Sequence, residues 1–189
     1  ANIKGIEKIL NQKNALLMQD DAHGFGIFNP MIPKHSIYMA TLGKAAGVMG
    51  AFVAGDEDLI EFLIQKSRPY TYTTAIPPSF CNAILTSLKL IDNGEQKQKL
   101  LTNISYFKSI ASQLGLQFGI SNSAIQPLVI GSSSAALKLS NQLFEEGFFV
   151  SAIRPPTVPP NTARLRFTLS ANHTSQQINK LLEKVKNVK

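Results

Sequence analysis

Residues 36–54, SIYMATLGKAAGVMGAFVA, decide the fold. Two short apolar runs, Ser36 to Ala40 and Gly50 to Ala54, flank a glycine-containing turn and predict two β-strands. Because the connection between them is too short for a crossover helix, we expect the strands to run antiparallel. Upstream, Ala15 to Met18 predicts another buried strand, and the apolar spacing of Ile3 to Leu10 predicts a helix before it. This region therefore predicts an α/β fold.

The rest of the chain continues the α/β pattern, and the turn Asp92-Asn93-Gly94 marks the expected domain boundary. We expect residues 1–93 to be the C-terminal part of a large domain with a mixed sheet and helices, and residues 94–189 to form a small α/β domain. The predicted elements are a helix capped by Asp56 and ending at Lys66, an extended loop over Arg68–Ser79, helices over Phe80–Ile91 and Glu95–Leu114, a strand over Pro127–Ile130, a helix over Ser134–Glu146, strands over Phe148–Ile153 and Arg164–Leu169, and a helix over Ser175–Val188.

Composition excludes several classes of protein. With 44% hydrophobic and 16% charged residues, the chain is too apolar for global disorder. It contains no run of apolar residues long enough to cross a membrane. The single cysteine, Cys81, cannot form an internal disulfide and has no ligand cluster near it in sequence, which argues against structural zinc and favours a cytoplasmic location.

The charge balance is strongly basic. Lysine and arginine outnumber acidic residues, giving a net charge of +7, which favours anionic partners in general. No basic run interleaved with aromatic residues occurs, so nucleic acid is not the expected partner. The chain also lacks an initiator methionine and a helix cap at its start, so we expect it to be part of a longer protein.

Lys44 is the first candidate for catalysis. It lies between two glycines in Thr41-Leu42-Gly43-Lys44-Ala45-Ala46-Gly47, just beyond a predicted strand. Small neighbours let a bound molecule approach the backbone, and a partly desolvated lysine becomes an amine nucleophile for Schiff-base chemistry. The alternative is a surface lysine. A nucleotide phosphate loop is excluded because Tyr38 stands where its first glycine is required.

Asp20 and His23 are the second candidates, at the end of the first strand. Alone they predict a poor metal site, because no third ligand is near, or simply an Asx turn beside a hydrogen-bonded imidazole. With Lys44 they suggest more. A carboxylate favours a protonated pyridine nitrogen, and an imidazole can hydrogen-bond a phenolic oxygen, so the three match what pyridoxal phosphate requires.

Four segments in order resemble the α-oxoamine synthases, which are fold-type I pyridoxal-phosphate enzymes. They are Asp20-Asp21-Ala22-His23-Gly24, Thr41-Leu42-Gly43-Lys44-Ala45, Tyr72-Thr73-Thr74-Ala75-Ile76-Pro77-Pro78 and Arg164-Leu165-Arg166. A fifth run, Ile153-Arg154-Pro155-Pro156, is most similar to the branch of the family that condenses L-alanine with a pimeloyl thioester. The resemblance covers essentially the whole chain.

The resemblance implies a role for each matched residue. Lys44 would bind the cofactor aldehyde and later transfer a proton, Asp20 would face the pyridine nitrogen, and His23 would contact the phenolic oxygen. Thr41 would contact the cofactor phosphate, and Thr74, with Thr73 beside it, would make the same contact across a homodimer. Arg166 would bind substrate as a clamp on the amino-acid carboxylate, and Arg154 would also bind substrate.

The implied reaction is the decarboxylating condensation of L-alanine with pimeloyl-coenzyme A or the pimeloyl carrier protein, a step toward biotin. Family members are nearly twice this length, and their glycine-rich phosphate turn and ring-stacking histidine have no counterpart here. We therefore expect a fragment with little or no activity by itself. Two alternatives remain: a related synthase of the glycine C-acetyltransferase or 5-aminolevulinate synthase type, using glycine or serine, and a non-catalytic α/β binding module.

Overall fold

The computed structural model describes residues 3–188. The chain divides into two compact units between Gly94 and Glu95, one residue beyond the boundary expected from the sequence. Residues 1, 2 and 189, which fall within the expected domain ranges, lie outside the described residues. Within residues 3–188, no helix combines the length and apolar character needed to cross a membrane.

The first unit contains one mixed sheet and four helices in its described part. Its elements are α1 (Ile3–Lys13), β1 (Leu17–Asp20), β2 (Ser36–Thr41), β3 (Ala51–Ala54), α2 (Glu57–Lys66), α3 (Arg68–Thr71) and α4 (Ser79–Asn93). The strand order is β1-β2-β3. β2 pairs parallel with β1 and antiparallel with β3, so the antiparallel pairing expected from the short connection is confirmed.

The central strand β2 has one buried face. Ser36, Tyr38 and Ala40 are buried, and the residues between them are half-buried. The sheet register places Asp20 opposite Met39, on the other face. The alternation in β2 follows from the two-residue period of a strand, which turns successive side chains to opposite faces.

Three local predictions in the first unit were wrong in detail. The first strand starts at Leu17 rather than Ala15, because the Ala15 amide donates to the Leu10 carbonyl at 3.2 Å and closes α1. The expected loop over Arg68–Ser79 contains the short helix α3, which has proline in its first turn, where that residue is favourable. Asp56 occupies the N-cap position of α2 but makes no side-chain cap.

Over residues 95–188, the second unit is a three-stranded antiparallel sheet with three helices. Its elements are α5 (Glu95–Gln113), β4 (Ile125–Gly131), α6 (Ser133–Glu145), β5 (Ser151–Ile153), β6 (Ala163–Thr168) and α7 (Ser175–Val188). β6 lies between β4 and β5. Its alternate residues Ala163, Leu165 and Phe167 are buried in the core. The α/β class expected from the sequence is confirmed.

β5 is shorter than predicted. The apolar run from Phe148 to Ile153 predicts a strand throughout, but pairing starts only at Ser151. The Phe148 amide donates to the Leu143 carbonyl at 2.8 Å, and Gly147 has a positive φ of 86°. Phe148 therefore completes the C-terminal cap of α6 instead of pairing in the sheet.

Burial differs sharply between the two units. In the described part of the first unit, none of the four helices carries a buried side chain. Each of the three helices in the second unit carries at least three. The first unit instead exposes large apolar side chains, including Met18 and Phe62 at 63% and 59%. Its hydrophobic surface is thus much less completely buried.

Candidate active site

Asp20 is the last residue of β1, at the carboxyl end of the parallel pair. Its side chain is exposed, and Oδ1 accepts a hydrogen bond from the Ala22 amide at 3.0 Å. This is the Asx turn considered as the simpler interpretation of the sequence. The bond orients the carboxylate at the start of the loop that carries His23, whose imidazole is exposed.

Lys44 lies in the turn that joins β2 to β3. The turn is closed by the Leu42 amide donating to the Gly50 carbonyl at 2.8 Å and the Val48 amide donating to the Leu42 carbonyl at 3.0 Å. The Lys44 ammonium donates to Thr41 Oγ1 at 3.3 Å. The backbone of the turn thus places an amine beside the hydroxyl that ends the strand.

The glycines around Lys44 leave open space. A Cβ added at Gly43 or Gly47 would meet no atom within 4 Å, and Gly47 has a φ of +65° that favours glycine. Lys44 itself is exposed. The expectation that Lys44 is partly desolvated is therefore wrong for this chain by itself, because its side chain is exposed to solvent.

The structure brings four of the expected residues to one sheet edge. β1 and β2 run parallel, so Asp20 and Thr41 both end strands at the same edge, and His23 and Lys44 follow directly in the two loops. In open α/β sheets this carboxyl edge is where ligands bind. A carboxylate, an imidazole, a hydroxyl and an amine are therefore carried at, or just beyond, the same edge of the sheet in the first unit.

The remaining expected residues lie elsewhere in their own units. Thr73 and Thr74 are exposed in the non-helical segment between α3 and α4. Arg154 is exposed directly after β5. Arg166 is exposed on the central strand β6, where it pairs in register with Pro127 and Ser151. Arg166 thus stands on an open sheet face rather than at a strand end.

Sequence reasoning missed the contact between Tyr38 and Asp21. The Tyr38 hydroxyl donates to Asp21 Oδ2 at 2.8 Å. Burial, the hydrogen bond to Asp21 and the negative charge of Asp21 together raise the pKa of Tyr38 to about 12. The one available signal was a polar aromatic residue at a buried position of the alternating strand β2, next to an acidic pair at the end of β1.

A cavity of about 310 Å³ in the second unit lies between β6 and α7. Its lining includes Phe149, Phe167 and His173, and it contains none of the residues expected at the catalytic site. The candidate residues at the sheet edge of the first unit therefore do not line this cavity.

The sequence comparisons place the chain among enzymes about twice as long. It is 47% identical over 195 residues to an 8-amino-7-oxononanoate synthase of Hydrogenovibrio crunogenus, an alignment that covers 97% of this chain and 49% of that protein. An enzyme of the same name from Methylococcus capsulatus is 45% identical over 195 residues, covering 97% and 50%. The chain spans about half the length of the curated relatives it matches.

Solved structures give the same result for the fold. A structure of SPT with PLP internal aldimine superposes with a TM-score of 0.89 at 26% identity, covering 100% of this chain and 50% of that one. The 8-amino-7-oxononanoate synthase of Francisella tularensis superposes with a TM-score of 0.76 at 34% identity, covering 90% and 54%. The fold expected from the resemblance is confirmed.

The family comparison covers nearly the whole sequence. Residues 1–185 match the family model described as aminotransferase class I and II. The relatives' shared name agrees with the resemblance drawn from the ordered motifs. The chain belongs to the aminotransferase class I and II family.

Proposed function

We propose that this chain is part of a pyridoxal-phosphate-dependent acyltransferase that condenses L-alanine with a pimeloyl thioester, releasing carbon dioxide and forming 8-amino-7-oxononanoate for biotin biosynthesis. The observation that supports the proposal is that β1 and β2 run parallel and end in Asp20 and Thr41 at the same edge, with the Lys44 ammonium donating to the Thr41 hydroxyl. The 47% identity to a relative of that name supports the choice of reaction. The thioester carrier is coenzyme A or a carrier protein.

The residues at the sheet edge fit pyridoxal phosphate. The group needs an amine for its aldehyde, a carboxylate for its pyridine nitrogen and polar donors for its oxygens. Lys44 offers an exposed amine. A Cβ added at Gly43 or Gly47 would meet no atom within 4 Å, so the space beside these glycines is open. When bound, the group supplies an electron-withdrawing ring that stabilises negative charge on the substrate carbon beside the amine.

Each residue then has a definite task in the proposed reaction. Lys44 holds the cofactor aldehyde and moves the proton at the α-carbon of L-alanine. Asp20 keeps a proton on the pyridine nitrogen, because a nearby carboxylate favours the charged form of that base. His23 hydrogen-bonds the phenolic oxygen, and the hydroxyl of Thr41 binds the phosphate.

The proposal extends to the second unit and to a partner subunit. The exposed guanidinium groups of Arg166 and Arg154 suit carboxylate binding, since arginine presents a planar pair of donors. Arg166 is assigned to the carboxylate of the amino acid. In a homodimer with shared active sites, Thr74, with Thr73 beside it, would contact the cofactor phosphate of the neighbouring subunit. We assign the enzyme to the cytoplasm, in keeping with the free thiol of Cys81.

A related synthase with another amino-acid substrate is the second candidate. Its support is the higher TM-score with SPT, 0.89 against 0.76 for the Francisella tularensis enzyme. Glycine, L-alanine and L-serine differ by one small group, which a pocket distinguishes only modestly. Comparing the three amino acids for their effect on the spectrum of the bound cofactor separates this candidate from the first.

Reductive trapping tests the cofactor assignment. We expect borohydride treatment of the chain with pyridoxal phosphate to attach the cofactor at Lys44, because a covalent link to Nζ is reduced to a stable amine. Peptide mass mapping identifies the modified lysine. Turnover is a separate measurement, and we expect little or none with L-alanine and a pimeloyl thioester from this chain by itself.

The matched control is Lys89→Ala, which removes an exposed lysine from α4 in the same unit. The Lys44→Ala variant should lose the specific label, whereas Lys89→Ala should keep it. Equal labelling of many exposed lysines, with no preference for Lys44, would contradict the proposal and favour a non-catalytic binding module.

A further inference from the structure

Asp21 is fixed more firmly than either of the expected catalytic residues beside it. Its backbone amide donates to the Met39 carbonyl at 2.9 Å, which continues the β1–β2 pairing by one residue. Its carbonyl accepts from the amides of Gly24 and Phe25 at 3.0 and 2.9 Å. Its carboxylate accepts from the Tyr38 hydroxyl at 2.8 Å. Asp21 therefore ties the turn over residues 20–25 to β2 through both backbone and side chain.

Gly24 depends on this arrangement. It is buried, and a Cβ added there would overlap Asp21 Oδ1 and lie 2.9 Å from Asp21 Cγ. Contacts this short do not occur in folded proteins, so any larger residue would have to displace the Asp21 carboxylate. The Asp21 side chain lies against Gly24, so the turn requires a residue without a Cβ at this position.

Tyr38 supplies a rigid anchor for the turn. Its side chain is only 4% exposed on the central strand, with its ring 6.0 Å from that of Phe52. Its raised pKa keeps the hydroxyl protonated, and therefore a donor, across the physiological range. The part-buried hydrogen bond from Tyr38 therefore fixes the Asp21 side chain relative to β2.

Asp20 and His23 lie on either side of Asp21 within the same turn. The Asp20 carboxylate accepts a hydrogen bond from the Ala22 amide, inside the turn. His23 is exposed. The direction in which these two side chains point is therefore set by the turn's own shape.

We propose that Tyr38 and Asp21 are positioning residues, whose hydrogen bond holds the turn over residues 20–25 in the shape that presents Asp20 and His23 to the bound cofactor. The role toward the cofactor rests on the proposed function, in which Asp20 and His23 contact the ring. The effect on the turn does not depend on it. Neither Tyr38 nor Asp21 touches substrate or cofactor in this assignment; both act through their neighbours.

Hydrogen exchange of the whole chain tests the effect on the turn. We expect the Gly24 and Phe25 amides to exchange about tenfold faster in Tyr38→Phe and Asp21→Ala, since a hydrogen bond of this kind contributes about that factor. Asp21→Asn should behave like the wild type, because its side-chain oxygen still accepts from Tyr38. The matched control is Tyr106→Phe, which removes a similar part-buried hydroxyl bond, 2.9 Å to Asn179, in the second unit.

The outcomes separate positioning from general stabilisation. Unchanged exchange of both amides in Tyr38→Phe and Asp21→Ala would overturn the proposal, and so would an equal acceleration throughout β2. Loss of protection in Asp21→Asn would overturn it too, because charge rather than the hydrogen bond would then matter. If Tyr38→Phe fails to fold, the two Asp21 variants decide the question, since that side chain is only part-buried.

Cofactor affinity provides the second measurement. We expect equilibrium binding of pyridoxal phosphate to weaken about tenfold in Tyr38→Phe and Asp21→Ala, and to stay within about twofold of wild type in Asp21→Asn. If the Gly24 and Phe25 amides exchange faster but the affinity for pyridoxal phosphate is unchanged, the role toward the cofactor is overturned. A wild-type chain that binds no pyridoxal phosphate would instead reject the proposed function, while the exchange data would still decide the effect on the turn.

Discussion

The high pKa of Tyr38 predicts a loss of stability in strongly alkaline solution. An ordinary tyrosine has a pKa near 10, whereas burial, together with the hydrogen bond and charge of Asp21, raises the pKa of Tyr38 to about 12. The folded chain therefore holds the phenol proton at pH values where the unfolded chain has released it. The contribution to stability is complete below about pH 10 and is lost as the pH rises through about 12.

The size of the effect follows from the difference between the two pKa values. Raising the pKa of a tyrosine from about 10 to about 12 corresponds to a total of roughly 3 kcal/mol of stability. At about pH 11, midway between the two values, about half of this total, roughly 1 to 2 kcal/mol, is lost relative to about pH 8. Tyr38→Phe removes the titrating group and should remove this part of the pH dependence.

Urea unfolding at about pH 8 and pH 11 measures the effect in both variants. The Ala40 methyl resonance reports on the first unit, because this side chain is fully buried in β2. Every other ionisable side chain is the same in both variants, so its contribution cancels in the comparison. If wild type and Tyr38→Phe lose the same free energy between the two pH values, the assigned environment of Tyr38 is wrong.

Two further predictions concern the backbone and the core. Gly94 has a φ of +78°, and no atom lies within 4 Å of an added Cβ. Gly94→Ala should therefore lower the free energy of unfolding in urea by about 1 kcal/mol through backbone strain alone. Gly43, whose φ is not positive, is the control, and an equal loss in Gly43→Ala would contradict that cause. Leu165 is fully buried in the central strand of the second unit, so Leu165→Ala should lower stability by about 3 kcal/mol. The control variant is Leu137→Ala, which changes an exposed leucine on α6. If it lowers the free energy of unfolding as much as Leu165→Ala, the assignment of the core is wrong.

Elements with a clear hydrophobic period could be predicted from the sequence. The helix predicted over Ser175–Val188 has the same bounds in the structure. β2 and β3 were also recognisable, since a short connection permits only antiparallel pairing. The helix α3 was missed because a four-residue helix spans too little sequence for a period to show.

Contacts between residues distant in sequence could not be predicted in the same way. Asp56 is a favourable N-cap residue by type, yet its Oδ2 lies 3.0 Å from His35 Nδ1, 21 positions away. Tyr38 and Asp21 are 17 positions apart. Local patterns indicate which residue types are present at a strand end. The partner of each side chain depends on sheet register, which emerges only when the whole unit folds.

The expected site residues were predictable to different degrees. The motifs around Asp20 and Lys44 placed both residues at strand ends, and the parallel β1–β2 pairing puts those ends at the same edge. The exposure of Lys44 corresponds to the alternative interpretation of the sequence, because glycines beside a lysine indicate room for a ligand but not what else covers the amine. The roles of all the expected site residues toward cofactor and substrate stay predictions.

The uneven burial of the two units means that evolution and mutagenesis encounter different constraints in each half of this chain. A polar replacement at Met18 or Phe62, which are 63% and 59% exposed, removes little buried area and should leave the chain's own folding nearly unchanged. The same replacement at Leu165 or Phe107, both fully buried, would remove core packing. A mutational scan scored only by folding of this chain would therefore identify the second unit clearly and would undervalue the apolar side chains of the first.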